Sequence, residues 1–92
     1  MATVFIPTML QPLAGGRKTV EVAGATVGDL IRNLDAIHPG IQARLVDGDA
    51  LRSNLAVAVD GEVSVFGLLE DVPEDAEVHF IPAISGGGRR AI

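Results

Sequence analysis

Apolar and polar positions alternate along two short stretches of this chain, large and small apolar residues alternate along a third, and apolar residues recur at helical spacing in a fourth. Over Thr19–Ala23, Val20 and Val22 share one face while Thr19 and Glu21 share the other, the period-two pattern of a half-buried strand. Over Ala76–Ile81 the same period sets Ala76, Val78 and Phe80 against Glu77, His79 and Ile81. Leu55–Val59 is the most apolar strand, with Leu55, Val57 and Val59 directed at a core and the small Ala56 and Ala58 opposite. Val4-Phe5-Ile6 is β-prone and stops at Pro7, which lacks a ladder donor. Strands at residues 2–7 and 18–23 are therefore predicted as a hairpin. Thr8–Gly16 is its connection, with Pro12 and Gly15-Gly16 marking turns.

One helix is clear. Val27, Leu30, Ile31, Leu34 and Ile37 recur at three and four residues and predict a single apolar stripe packed on the sheet. Thr26 is placed to accept from the amide of Asp29, whose carboxylate suits the exposed amides of the first turn. Pro39-Gly40 ends the helix, and Ile41–Leu45 reads as a further short turn. Asp47-Gly48-Asp49 reads as a surface loop. Asp60-Gly61 signals a hairpin turn into a brief strand, Glu62–Val65. Leu68, Leu69 and Val72 are expected to anchor an irregular turn onto the core. The sum predicts an α+β fold, a mixed sheet of four to five strands with one main helix across it. The helix between the second and third strands is long enough for a crossover, so those two strands need not pair.

Composition narrows the function more by exclusion than by signal. Ninety-two residues make one domain, and an apolar fraction of 48% supports a folded core built from Val, Ile, Leu and Ala. The formal charge of −5 argues against a phosphate backbone as partner and for a basic docking face on another protein. With no cysteine there is no disulfide, thiolate ligand or cysteine nucleophile. The apolar runs fall short of the ~20 residues needed to span a bilayer, and no basic-then-apolar leader opens the chain, so a cytoplasmic location is expected. Gly15-Gly16-Arg17-Lys18 lacks the spacing of a phosphate loop, and Asp47-Gly48-Asp49 lacks the remaining ligands of a calcium loop. No acid–base pair, nucleophile or metal set converges. His38 and His79 need no catalytic or metal role, and an enzyme is the least supported class.

The C-terminal stretch is the candidate site. Val78–Ile81 runs through Pro82 and Ser85 into Gly86-Gly87-Gly88, followed by Arg89-Arg90-Ala91-Ile92. A glycine run tolerates nearly any backbone conformation and carries no chemistry of its own, so it serves as a slack linker or as a peptide thin enough to enter another protein's channel. The division expected is a folded domain over 1–85 and a flexible tail over 86–92.

Three motifs in order, Thr26-Val27-Gly28-Asp29-Leu30, Val57-Ala58-Val59-Asp60-Gly61 and Ile81-Pro82-Ala83-Ile84-Ser85-Gly86-Gly87, resemble the ThiS/MoaD-type sulfur carriers, relatives of ubiquitin with a β-grasp fold. Within that family Ile6-Pro7-Thr8-Met9-Leu10, Gly15-Gly16 and His38-Pro39-Gly40-Ile41 look most similar to the thiocarboxylate carrier of O-phosphoserine-dependent cysteine synthesis. The resemblance implies that an E1-like adenylyltransferase/sulfurtransferase uses ATP to adenylate the carboxylate of Gly87, that sulfur displaces AMP, and that Gly86 forms the slender approach. It implies a sulfur acceptor, either a cysteine synthase or a molybdopterin synthase large subunit. The small subunit of molybdopterin synthase and a ubiquitin-like modifier are the alternatives for the chain itself, and a non-reactive β-grasp binding domain is a third class. Gly87 is followed by Gly88 and four further residues, so the resemblance requires cleavage after Gly87, or after Gly88, by a protease such as the JAMM-type zinc metalloproteases. Strand phase makes Phe5, Ala56, Ala58 and Ile81 the expected contacts with the activating enzyme.

Overall fold

The computed structural model describes residues 1–82. Its sheet has five strands: β1 (Ala2–Phe5), β2 (Thr19–Val22), and, after two helices and a small separate hairpin, β5 (Leu55–Val59), β6 (Glu62–Val63) and β7 (Glu77–Pro82). Their spatial order is β2-β1-β7-β5-β6. β1 runs antiparallel to β2 and parallel to β7, whereas β7 runs antiparallel to β5. Between β2 and β5 lie helix α1 (Val27–Ile37), the short helix α2 (Ile41–Leu45) and a hairpin of β3 (Val46–Asp47) with β4 (Ala50–Leu51). β2 and β5 are not neighbours, because α1 carries the chain across the sheet. This is the β-grasp arrangement.

The helix forms where the apolar spacing places it. Thr26 Oγ1 accepts from the Asp29 amide at 3.2 Å, and the His38 amide closes the far end on the Leu34 carbonyl at 2.8 Å. Leu30, Ile31 and Leu34 are buried against Val4, Val57 and Val78 of the sheet in one core cluster. Ile37 departs from the expected stripe: it is 54% exposed. The core contacts of the helix end one turn earlier, and Ile41 and Leu45 of α2 are the residues buried next. Asp35 makes that turn, its Oδ1 accepting from the amides of Gly40 and Gln42, both at 3.0 Å.

Other expectations are corrected. The connection Thr8–Gly16 contains a 3₁₀ helix over Thr8–Ala14, which buries Leu10 and Ala14. Asp47-Gly48-Asp49 is exposed as expected, with Asp47 closing β3 and Gly48-Asp49 forming the turn into β4. The strand after Asp60-Gly61 keeps only Glu62–Val63. Leu69 is not a core anchor; Val72 is buried and Leu68 packs part-buried on the core, but Leu69 points into water.

Asp60 and Gly61 both adopt positive φ, 51° and 88°, which matches the twist of a two-residue hairpin. Asp60 also accepts the Glu77 amide on Oδ1 at 2.9 Å, tying that turn to the start of β7.

Gly24, ahead of α1, is a close approach. A Cβ placed there would lie 2.9 Å from both the backbone nitrogen and Cδ2 of Leu30. Because part of that obstacle is helix backbone, Gly24→Ala should destabilise by about 1–3 kcal/mol, the usual range for overpacking. Denaturant unfolding checks this: an unchanged midpoint would mean that α1 can shift freely.

Candidate functional site

β7 ends at Pro82 in the middle of the sheet, with β1 on one side and β5 on the other. Gly86, expected as the slender approach, Gly87, expected as the reactive terminus, and the expected cleavage positions after Gly87 or Gly88 lie outside the described residues, as do Arg89, Arg90 and the domain boundary at 85/86. What the structure presents is the root of that segment and the surface beside it.

That surface is the sheet face turned away from α1. Register brings together residues distant in sequence: Phe5 lies opposite His79, His79 opposite Ala58, and Ala58 opposite Val63. In the next row toward Pro82, Ile81 lies opposite Ala56. The four expected docking residues therefore share one face. Paired residues in a ladder point to the same side, so the alternation that buries Val4, Val57, Val78 and Phe80 turns these four outward.

Their accessibility differs. Phe5, Ala56 and Ile81 are half-buried, while Ala58 is only 7% exposed. Ala58 is thus a floor between His79 and Val63 rather than a contact available to a partner. Val63, 60% exposed, adds apolar surface at the edge of the same row.

His79 belongs to this face in a way strand phase alone does not show. Its ring stacks on Phe5 with centroids 3.9 Å apart and planes 11° from parallel. The Glu77 carboxylate lies 3.9 Å from His79 Nε2, an ion pair whenever the imidazole is protonated. The pairing of β1 with β7, 74 positions apart from Phe5 to His79, brings the two rings together. Alternation placed His79 beside Ile81, but the partner strand was not legible in it.

The row from Phe5 to Ile81 offers apolar area, flanked by the His79 imidazole and the Glu77 carboxylate. Among the described residues no group of three His, Cys, Asp or Glu side chains is arranged to hold a metal ion. Among the same residues no helix is long and apolar enough to cross a membrane.

Comparison with known proteins bears on nearly the whole chain. The profile of the ThiS family matches residues 4–87. The sulfur carrier protein CysO of Mycobacterium tuberculosis is 37% identical over 90 residues, covering 92% of this chain and 97% of that protein. Among solved structures, the BexX/CysO complex of Amycolatopsis orientalis superposes with a TM-score of 0.86 at 39% identity, covering 95% of this chain and 100% of that one. CysO of Mycobacterium tuberculosis gives 0.84 at 35% identity, covering 91% and 100%.

The ring stack is testable by itself. Phe5→Ala should move the His79 ring-proton resonances downfield as the ring current is lost, and should cost on the order of 1 kcal/mol of stability. Unmoved His79 signals would show that the rings do not stack in solution.

Proposed function

The chain belongs to the ThiS family, and we infer that it is a sulfur carrier of the CysO type. It serves thiocarboxylate-mediated sulfur transfer in cysteine biosynthesis as a protein co-substrate, not as a catalyst. Similarity to CysO along nearly the whole of both chains is the observation that carries this reading.

In the chemistry proposed, an E1-like enzyme directs a carboxylate oxygen of Gly87 onto the α-phosphorus of ATP and releases pyrophosphate. Hydrosulfide, or an equivalent sulfur donor on the enzyme, then attacks the acyl carbon and expels AMP, leaving the thiocarboxylate. A cysteine synthase accepts that sulfur next. Glycine suits the terminus because no Cβ crowds the carboxylate as it attacks phosphorus or the acyl carbon that the sulfur nucleophile must then reach. The partners supply the catalytic groups, so the carrier's task is to deliver the carbon at a defined place. A free Gly87 carboxylate requires hydrolysis of the Gly87–Gly88 bond, a role for a JAMM-type protease. The cytoplasm, where ATP is at hand, is the proposed compartment.

The outer sheet face is the proposed docking surface for the adenylating enzyme, through Phe5, Ala56 and Ile81. These three side chains are apolar and lie beside the root of the segment that enters the active site, with Glu21, Glu77 and His79 on the same face. Ala58 supports it from beneath.

Two measurements test the reading. A chain ending at Gly87, incubated with its cognate adenylating enzyme, ATP and a sulfur source, should gain the mass of sulfur in place of one oxygen; absence of both adenylate and thiocarboxylate would end the proposal. Ala56→Asp should raise the KM of the carrier in ATP–pyrophosphate exchange by about tenfold, the loss expected on placing a charge in an apolar contact. An unchanged KM would move docking elsewhere.

A further inference from the structure

Between the edge strand β6 and the start of β7, the chain holds three large apolar side chains out in water. Val65 is 89% exposed, Phe66 65% and Leu69 81%. The segment carrying them is braced. The Phe66 amide donates to Ser64 Oγ at 2.9 Å, and the Ser64 hydroxyl donates to the Glu70 carboxylate. The amides of Leu69 and Glu70 close a 3₁₀ turn onto the carbonyls of Phe66 and Gly67, both at 3.1 Å. The Val27 amide then donates to the Glu70 carbonyl at 3.0 Å, fastening the turn to the start of α1. Gly67 takes the left-handed conformation, φ 57°, that the reversal needs. A single exposed apolar residue is ordinary. Three on one braced turn form the kind of patch that marks an interaction surface.

Charge narrows what covers it. No lysine or arginine occurs from Ser53 to Gly88. Glu62, Glu70 and Asp71 line one groove with Val65 and Phe66, so that side of the apolar knob is acidic, while Leu69 borders a neighbouring groove with Arg32 and Asp49. We propose that this knob seats in an apolar pocket rimmed by lysine or arginine on the enzyme that adenylates the tail. The inference rests on the carrier reading above. An enzyme that binds ATP gathers positive charge about its polyphosphate site, and an acidic carrier is drawn to that side of it. Reach allows one partner to hold both features. Five residues separate Pro82 from Gly87, about 17 Å when extended. β6, the strand that leads into the knob, stands two strands from β7, about 10 Å away.

The test is ATP–pyrophosphate exchange by the cognate adenylating enzyme, with carrier processed to Gly87. F66S/L69S should raise the carrier's KM about tenfold or more with kcat unchanged, as for loss of interface anchors. Its melting temperature should stay near that of the parent, since both side chains are already in water. E62K/D71K should raise KM at low salt, and the difference should shrink as salt is added. Ala36→Ser, on the exposed side of α1, should change nothing. Should F66S/L69S fail to fold, E62K/D71K decides alone. Unchanged KM in these variants overturns the proposal while leaving the carrier function intact. So does a dimer of the parent that F66S/L69S dissociates without moving KM, which would make a second copy the occupant. Normal exchange with impaired delivery of sulfur to the acceptor would place the knob on the other partner and overturn it too. If the parent chain supports no exchange, the carrier reading falls and this inference with it.

Discussion

The register of β7 between β1 and β5 is the constraint on which the rest depends. β7 is hydrogen-bonded on both edges, parallel to β1 and antiparallel to β5, with Val4 level with Val78 and Val57 level with Phe80. A slip of one residue would turn Val78 and Phe80 out to water and bring His79 and Ile81 into the core. The core therefore sets the phase of the strand, and the phase sets which side chains flank Pro82. Any partner that grips the residues beyond Pro82 pulls on a strand paired on both sides.

From this register the molecule divides its labour between two faces. On one, α1 and α2 close a core built mainly of Val, Leu and Ile in which, among the described residues, no polar or charged residue is buried. The other face is left uncovered by helices and carries the Phe5–His79 stack, Ala56 and Ile81. A carrier that meets its partners in turn needs a rigid base and a surface that can be covered and uncovered. On the docking proposed above, half-buried apolar side chains on a sheet supply both, since they add contact area without needing to order a loop first. The braced turn at Phe66–Leu69 extends the same principle to the edge of the sheet.

Much of this architecture was legible before any fold was known, because it follows from local rules. The Thr26 cap, the helical stripe through Leu34, the alternation in β2, β5 and β7, and the turn at Asp60-Gly61 each depend on neighbours within a few positions. The misses share one cause. Ile37 continues the helical period, yet α2 takes over the core before its turn comes, so periodicity could not reveal its exposure. Ala58 obeys strand phase in facing outward, but His79 and Val63 from two other strands bury it. Leu69 is as hydrophobic as Leu68, and only the 3₁₀ turn tied to α1 separates their fates.

The sequence by itself determined the element types, the side of each strand that is apolar, and the glycine-rich segment after Ile81 that carries the family's motif. Tertiary structure decided which strands adjoin, and so that Phe5 stacks on His79, that Ala58 is a floor and that Phe66 and Leu69 stand in water. The physical reason is range. Capping, turn conformation and alternation are settled by contacts close along the chain, whereas burial and stacking are settled by whichever distant segment the sheet order brings alongside.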